Sequence, residues 1–262
     1  MPPTDAHGYV TADAPARAAR ALSFDAAADQ YAAYRPGYPP ALFDAIAETV
    51  PLTGADVLDC GAGTGIATRL LTDRGARVTA LEPGDGMAAQ LHARLPELPL
   101  VRADGNTLPF ADDSFDLVTY AQAFHWTDPD RSVPEARRVL RPGGALALFW
   151  NQQDSGEPWI AEQERRLELR QREMITKESA QELLAGHGLE PLLRNVSWSR
   201  RLTVDDHLRN IGSHSHFIVM GDEAAKVLAA EREVLLERFP DGELTEHYVC
   251  ALILAREDGS QG

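Results

Sequence analysis

The sequence predicts a doubly wound α/β fold with a mostly parallel sheet, and three observations support this. Short apolar runs with the length of buried strands alternate with amphipathic helical patterns. A cluster of glycines, Gly61, Gly63 and Gly65, directly follows the first of these strands. The 262 residues are 44% hydrophobic and 25% charged, which fits one α/β domain with a small addition or two small domains.

The N-terminal region precedes the alternating pattern. Residues 1–21 are rich in alanine, proline and small polar residues, so we expect them to be mobile. We expect residues 22–262 to form one domain. Apolar residues at a helical period predict a helix over 24–34, and the proline-rich stretch 35–40 ends it.

The alternating part supplies the parallel sheet. After a helix over 41–50, strands are predicted over 56–60, 77–82, 100–103, 115–120 and 145–150. The intervening helices are predicted over 66–73, 86–94 and 129–140, with a turn at 141–144. Helices between strands are typical of βαβ units, in which the strands run parallel.

The C-terminal part follows a different pattern. Helices are predicted over 159–175, 177–186, 204–211 and 223–239, and strands over 192–202 and 246–256. Segments near 22–40, 152–176 and 204–220 lie outside the regular alternation. We expect them to form a helical cap that determines substrate choice.

An acidic residue ends each of the first three strands: Asp59, Glu82 and Asp104. Ligands of doubly wound sheets bind across the carboxyl ends of the strands. Glu82 lies about 20 residues after the first glycine, where an acid meets ribose hydroxyls in nucleotide-binding folds. Asp104 is placed to accept from an adenine amine. Each acid also has a structural interpretation, as a cap of the next helix.

The glycine spacing distinguishes two kinds of nucleotide site. The sequence reads acid-x-Gly-x-Gly-x-Gly, and Ile66 stands where a dinucleotide fingerprint has its third glycine. This turn resembles motif I of class I S-adenosylmethionine (SAM)-dependent methyltransferases. The segments 104–118 and 135–144 are similar to the corresponding segments of that family. The segments 31–39 and 121–126 resemble a narrower small-molecule group related to the trans-aconitate methyltransferases.

The resemblance implies a seven-stranded Rossmann-like sheet with the last strand antiparallel, a helical cap and SAM as cofactor. It implies cofactor contacts by residues of the strand ends and the N-terminal helix: Tyr31, Arg35, Asp59, Gly61, Ala62, Gly63, Glu82, Pro83, Met87, Asp104, Gly105, Ala121 and Gln122. Substrate contacts are expected from residues near the cap: Tyr34, His125, Trp126, Trp150, Asn151, His214 and His216.

Several of these residues have a physical rationale and an alternative. The Arg35 guanidinium suits the carboxylate of SAM, because it donates two parallel hydrogen bonds; a surface ion pair is the alternative. His125 is the candidate general base, or else a packing residue. Trp150 either walls the pocket or belongs to the core. His214 and His216 either contact substrate or lie in a surface loop.

Composition limits the partners. The net charge of −15 repels nucleic-acid backbones, so a small-molecule substrate is expected. Cys60 and Cys250 lie far apart in strand patterns, which indicates buried thiols and no disulfide or metal pair. Without a signal or membrane-length apolar run, we expect a cytoplasmic monomer or homodimer with no membrane partner.

The methyl acceptor and the atom methylated stay open at this stage. An NAD-dependent oxidoreductase is disfavoured by the glycine spacing. A protein that keeps the SAM pocket for regulation or for a non-methylating reaction remains an alternative.

Overall fold

A computed structural model describes residues 34–169 and 177–257. The predicted mobile segment 1–21, the helix predicted over 24–34 except its last residue, and the cofactor candidate Tyr31 lie outside the described residues. The α-helices are α1 (Pro40–Ala47), α2 (Ile66–Thr72), α3 (Asp85–Arg94), α4 (Pro129–Val139), α5 (Pro158–Arg166), α6 (Lys177–Gly186), α7 (Val204–Gly212), α8 (Ser215–Met220) and α9 (Asp222–Arg238). The strands are β1 (Asp56–Cys60), β2 (Arg77–Leu81), β3 (Leu100–Val101), β4 (Phe115–Ala121), β5 (Leu140–Gln153), β6 (Leu189–Thr203) and β7 (Glu243–Glu257).

The strands form one seven-stranded sheet in the order β3-β2-β1-β4-β5-β7-β6. Strands β1 to β5 pair in parallel, and β7 is antiparallel to both β5 and β6. The order reverses between β1 and β4, which creates the crevice where ligands of doubly wound sheets bind. The predicted fold class, including the antiparallel last strand, is confirmed.

The core lies on both faces of the sheet, as it must in a parallel sheet covered by helices. Val57 and Leu58 are adjacent in β1 and fully buried, and they belong to two different apolar clusters. Cys60 lies in one cluster and Cys250 in the other. Both are buried free thiols, which confirms the prediction from their spacing.

Three differences from the predictions go beyond shifts in where a strand or helix ends. The pairing register of β5 shifts between Leu140 and Ala145, so the predicted turn at 141–144 is an irregularity within a longer strand. The helix predicted over 159–175 ends at Arg166, and residues 170–176 lie outside the described part. Helix α8 occupies a stretch for which no helix was predicted.

The C-terminal helices pack against one another and against the start of β7. Trp159 and Ile160 of α5, Leu208 of α7 and Leu235 of α9 are buried in one apolar cluster. We call the helices α5, α7, α8 and α9 the cap helices. Within 34–169 and 177–257, no helix combines the length and apolar character needed to cross a membrane.

Candidate functional site

A notch lies at the carboxyl ends of β1 and β4, and the proline-rich segment before α1 covers it. It encloses about 450 Å³, part of it open to solvent. It is lined by Arg35, Pro36, Tyr38, Gly61, Ala62, Gly63, Thr64, Ile66, Ala67, Ala121, Gln122 and Asn151. Six of the predicted cofactor residues and one predicted substrate residue are thus brought together.

The glycine turn needs glycine for two different reasons. Gly61 has a positive φ of 67°, and a Cβ there would lie 2.5 Å from the Cβ of Ala123. Gly63 has a positive φ of 58° with no heavy atom within 4 Å of a Cβ position, so its backbone faces open space. The turn is therefore tightly packed at Gly61 and open at Gly63, and the open side suits the close approach of a ligand to the backbone.

Glu82 joins the turns that follow β1 and β2. Its carboxylate accepts from the backbone N–H of Gly63 and of Gly84, both at 2.8 Å. The side chain is 7% exposed. Since each carboxylate oxygen has two lone pairs, an oxygen that accepts from a backbone amide can also accept from a ligand hydroxyl.

Asp59, the first of the three strand-end acids predicted to meet the ligand, lies elsewhere than predicted. Its side chain is fully buried, and its oxygens accept from the hydroxyls of Thr68 at 2.6 Å and Thr119 at 2.9 Å. Burial raises the pKa of Asp59 to about 6, although these hydrogen bonds act in the opposite direction. Asp59 thus links β1 to α2 and β4 and does not line the notch.

The third strand-end acid is exposed. Asp104 accepts from the backbone N–H of Asn106 at 2.8 Å, a local turn contact. The neighbouring Gly105 accepts from the Tyr120 hydroxyl through its carbonyl oxygen at 3.2 Å. Of the remaining candidates near this edge, Pro83 is exposed and Met87 is buried.

Asn151 connects three parts of the rim. Its side-chain amide donates to the carbonyl of Gly37 at 2.7 Å, and its side-chain oxygen accepts from the Trp198 indole at 3.0 Å. Its backbone carbonyl accepts from the side chain of Gln122 at 3.0 Å. Gln122 has a positive φ of 56°, uncommon for a residue with a side chain, and this contact fixes its orientation. The segment that carries Arg35 is thereby tied to the sheet.

His125 and Trp126 lie in a 3₁₀ turn, Phe124–Trp126, just after β4. Their ring centroids are 4.5 Å apart. Desolvation by the surrounding atoms, and secondly the positive charge of Arg35, lower the pKa of His125 to about 4. The imidazole is therefore neutral at physiological pH and able to accept a proton.

The other predicted substrate residues are not among those that line the notch. Trp150 is partly buried against the core cluster on one face of the sheet. The Tyr34 ring lies 5.4 Å from the guanidinium carbon of Arg209. His214 occupies the N-cap position of α8 without a side-chain cap hydrogen bond, and His216 lies within that helix.

Thr64 also lines the notch, although the sequence did not predict it as a site residue. Its hydroxyl is buried and has no hydrogen-bond partner among the described residues, and the residue is 2% exposed. A buried hydroxyl without a partner costs free energy. The position of Thr64 between two glycines of the turn is the sequence feature that could have identified it. Among the described residues, no group of three or more His, Cys, Asp and Glu could hold a metal ion.

A protein-family model described as a methyltransferase domain matches residues 58–148. An uncharacterized methyltransferase of Mycobacterium tuberculosis is 44% identical over 141 residues, covering 54% of this chain and 57% of that protein. The match thus spans little more than half the length of this relative. A methyltransferase-like protein of Schizosaccharomyces pombe is 30% identical over 215 residues, covering 80% of this chain and 84% of that protein.

Solved structures show the same fold. A methyltransferase structure from Anaeromyxobacter dehalogenans has a TM-score of 0.64 and 28% identity, covering 85% of this chain and 97% of that chain. Phosphoethanolamine N-methyltransferase 2 of Haemonchus contortus, in complex with SAM, has a TM-score of 0.57 and 18% identity. The latter match covers 89% of this chain and 57% of that chain.

Proposed function

Since the chain belongs to the methyltransferase family, we propose that it transfers a methyl group from SAM to a small-molecule acceptor. The observation that carries this proposal is the notch between the Gly61–Gly65 turn and Arg35. Its lining combines accessible glycine backbone with a guanidinium on the covering segment. The Glu82 carboxylate lies behind this lining and accepts from the backbone N–H of Gly63. These are the groups that an adenosyl amino acid requires.

Two observations support the fit of the residues at the notch to such a cofactor. The accessible face of Gly63 would be filled by any side chain, and the buried Thr64 hydroxyl lacks a partner. Arg35 would hold the carboxylate of the amino-acid part. Glu82 would hold the ribose hydroxyls.

Further contacts are assigned by position. Asp104 and Gly105 would meet the adenine. Gln122, oriented by Asn151, would face the methionine part. Tyr31 stays a prediction for this site because it lies outside the described residues.

A bound sulfonium cofactor supplies both the electrophilic methyl group and the leaving group, so the protein's task is alignment and exclusion of water. The Trp126 ring lies 4.5 Å from the His125 ring, tilted by 49°, and contributes apolar surface next to it. His125, neutral at physiological pH, would accept a proton from an acceptor that must lose one. An acceptor that is already nucleophilic would need His125 only for shape.

The acceptor is proposed to be a small carboxylate or a specialised metabolite, as in the trans-aconitate methyltransferase group. The net charge of −15 disfavours nucleic acid. The cap helices and the segment 34–39 are proposed to enclose the acceptor, which makes its choice a property of these elements. We also propose that the protein acts in the cytoplasm as a monomer or homodimer.

Calorimetric titration with S-adenosylhomocysteine (SAH), and with NAD as a comparison, tests the cofactor. One SAH per chain and no heat from NAD is expected, whereas NAD binding would favour an oxidoreductase. A panel of small carboxylates and specialised metabolites is then screened for release of SAH from SAM. SAH binding without turnover on any acceptor would support the alternative of a SAM-binding regulatory protein.

A further inference from the structure

A histidine outside the notch is fully buried between the cap helices and the sheet. His207 of α7 is 0% exposed, as is Glu246 of β7. Nδ1 of His207 lies 2.6 Å from a carboxylate oxygen of Glu246. Nε2 lies 2.9 Å from the side-chain oxygen of Gln163 in α5. Both ring nitrogens therefore face an oxygen atom.

The ring of His207 joins two elements of the fold. The side-chain nitrogen of Gln163 donates to Glu231 at 3.1 Å, and Arg166 holds Glu231 with two hydrogen bonds. This orientation leaves the amide oxygen of Gln163 to face Nε2 of His207. The ring therefore lies between Gln163 of α5 and Glu246 of β7 and is within hydrogen-bond distance of both.

Glu246, which faces Nδ1 of His207, is an ionised carboxylate. Burial alone would raise the pKa of Glu246, but hydrogen bonds and charges of His207 and Arg200 outweigh it and hold the pKa at about 2. The Tyr248 hydroxyl also donates to this carboxylate, at 2.8 Å. Glu246 and Arg200 thus form an ion pair whose carboxylate is enclosed in the protein. Ion pairs of this kind contribute little net stability compared with apolar packing, so their retention calls for another explanation.

The pair is connected to the covering segment of the notch by two routes. Arg200 of β6 donates to Glu246 and also to the backbone carbonyl of Tyr34, at 3.2 Å. Helix α7, which carries His207, places Arg209 over the Tyr34 ring. The C-cap residue of the same helix is Ser213, whose carbonyl accepts from the Arg35 guanidinium at 3.4 Å.

We propose that His207 is a positioning residue for the cofactor site. The His207–Glu246 pair fixes α7 and Arg200, and these hold Tyr34 and Arg35 in place above the glycine turn. This inference rests on the proposed function, because Arg35 is taken as a ligand of the cofactor carboxylate. A preorganised guanidinium binds more tightly, since no side-chain entropy is lost on binding.

The test uses the variant His207→Gln and the control His247→Gln. Glutamine at 207 can donate to only one of the two facing oxygens. His247 lies next to Glu246 in β7 but is partly exposed, 3.9 Å from Glu157. We expect the Kd for SAH to rise about tenfold in His207→Gln, the effect of losing one hydrogen bond to a charged group. The control should keep the wild-type Kd.

Hydrogen exchange provides a readout that does not depend on the cofactor. The amides of Arg35, Gly37 and Tyr38 should exchange faster in His207→Gln and at the wild-type rate in His247→Gln. Unchanged exchange and unchanged SAH affinity in His207→Gln would overturn the inference. If wild type itself fails to bind SAH, the proposed function fails, while altered exchange would still support the positioning of the segment.

A second variant keeps the inference testable if His207→Gln does not fold. Arg200→Met removes the bridge from Glu246 to Tyr34 and leaves His207 intact, and it should raise the SAH Kd by a similar factor. An unchanged SAH Kd in Arg200→Met would contradict the inference.

Discussion

Replacing Asp59 by asparagine should make stability less dependent on pH, because the buried carboxyl titrates differently in the folded and unfolded chain. Burial raises its pKa from 3.8 to about 6. The folded state therefore binds more protons than the unfolded state in this window, and wild-type stability falls as the pH rises through it. Above the window the full shift costs wild type about 3 kcal/mol, at 1.36 kcal/mol for each pH unit.

An asparagine side chain carries no such penalty, so the stability of the Asp59→Asn variant relative to wild type should improve as the pH rises. Between about pH 4.5 and about pH 7.5 the difference in the free energy of unfolding should shift by about 2 kcal/mol in favour of Asp59→Asn. Urea denaturation followed by tryptophan fluorescence at both pH values measures it.

Thr119→Val is the contrasting variant, because it removes a hydroxyl that donates to the charged carboxylate. It should destabilise the protein by about 1–3 kcal/mol near neutral pH. A pH-independent difference between Asp59→Asn and wild type would refute the reasoning, since it would mean that Asp59 titrates alike in both states.

Three further predictions concern the notch. Glu82→Gln turns an amide N–H₂ toward the N–H of Gly63 or Gly84, so its SAH affinity measured by calorimetry should fall by about 10- to 100-fold; an unchanged Kd would mean that Glu82 does not serve the cofactor. Gly61→Ala forces a Cβ to within 2.5 Å of Ala123 at a positive φ, and thermal or urea unfolding should show a loss of about 2–4 kcal/mol; wild-type stability would contradict the close packing. His125→Ala should lower the turnover number more than the affinity for SAH, and equal losses of both would assign His125 to cofactor shaping. Because desolvation and the Arg35 charge hold the pKa of His125 at about 4, the wild-type rate should lose this base only as the pH falls through about 4.

The parts of the fold that depend on local pattern were predictable from the sequence. Strand β1 and helix α6 have the bounds predicted from apolar runs and glycine stops. The parallel order follows from the alternation of strands and helices. Strands β6 and β7 are longer than predicted because they pair with each other over their full lengths, a long-range interaction that no single segment encodes.

The candidate site was predictable where the backbone itself is the functional group. Gly61 and Gly63 line the notch as their spacing indicated. The enclosure of Asp59 was not predictable, because its partner Thr119 comes from β4, 60 residues along the chain. His207 and Glu246 are separated by 39 residues, so only their convergence in the fold reveals the buried pair.

The crystal structure of the protein with SAH tests the central proposal most directly. The account predicts SAH in the notch, with its ribose hydroxyls on Glu82, its carboxylate on Arg35 and its amino-acid part against Gly61 and Gly63. SAH bound at another place, or a ribose that does not contact Glu82, would contradict the assignment of this notch as the cofactor site.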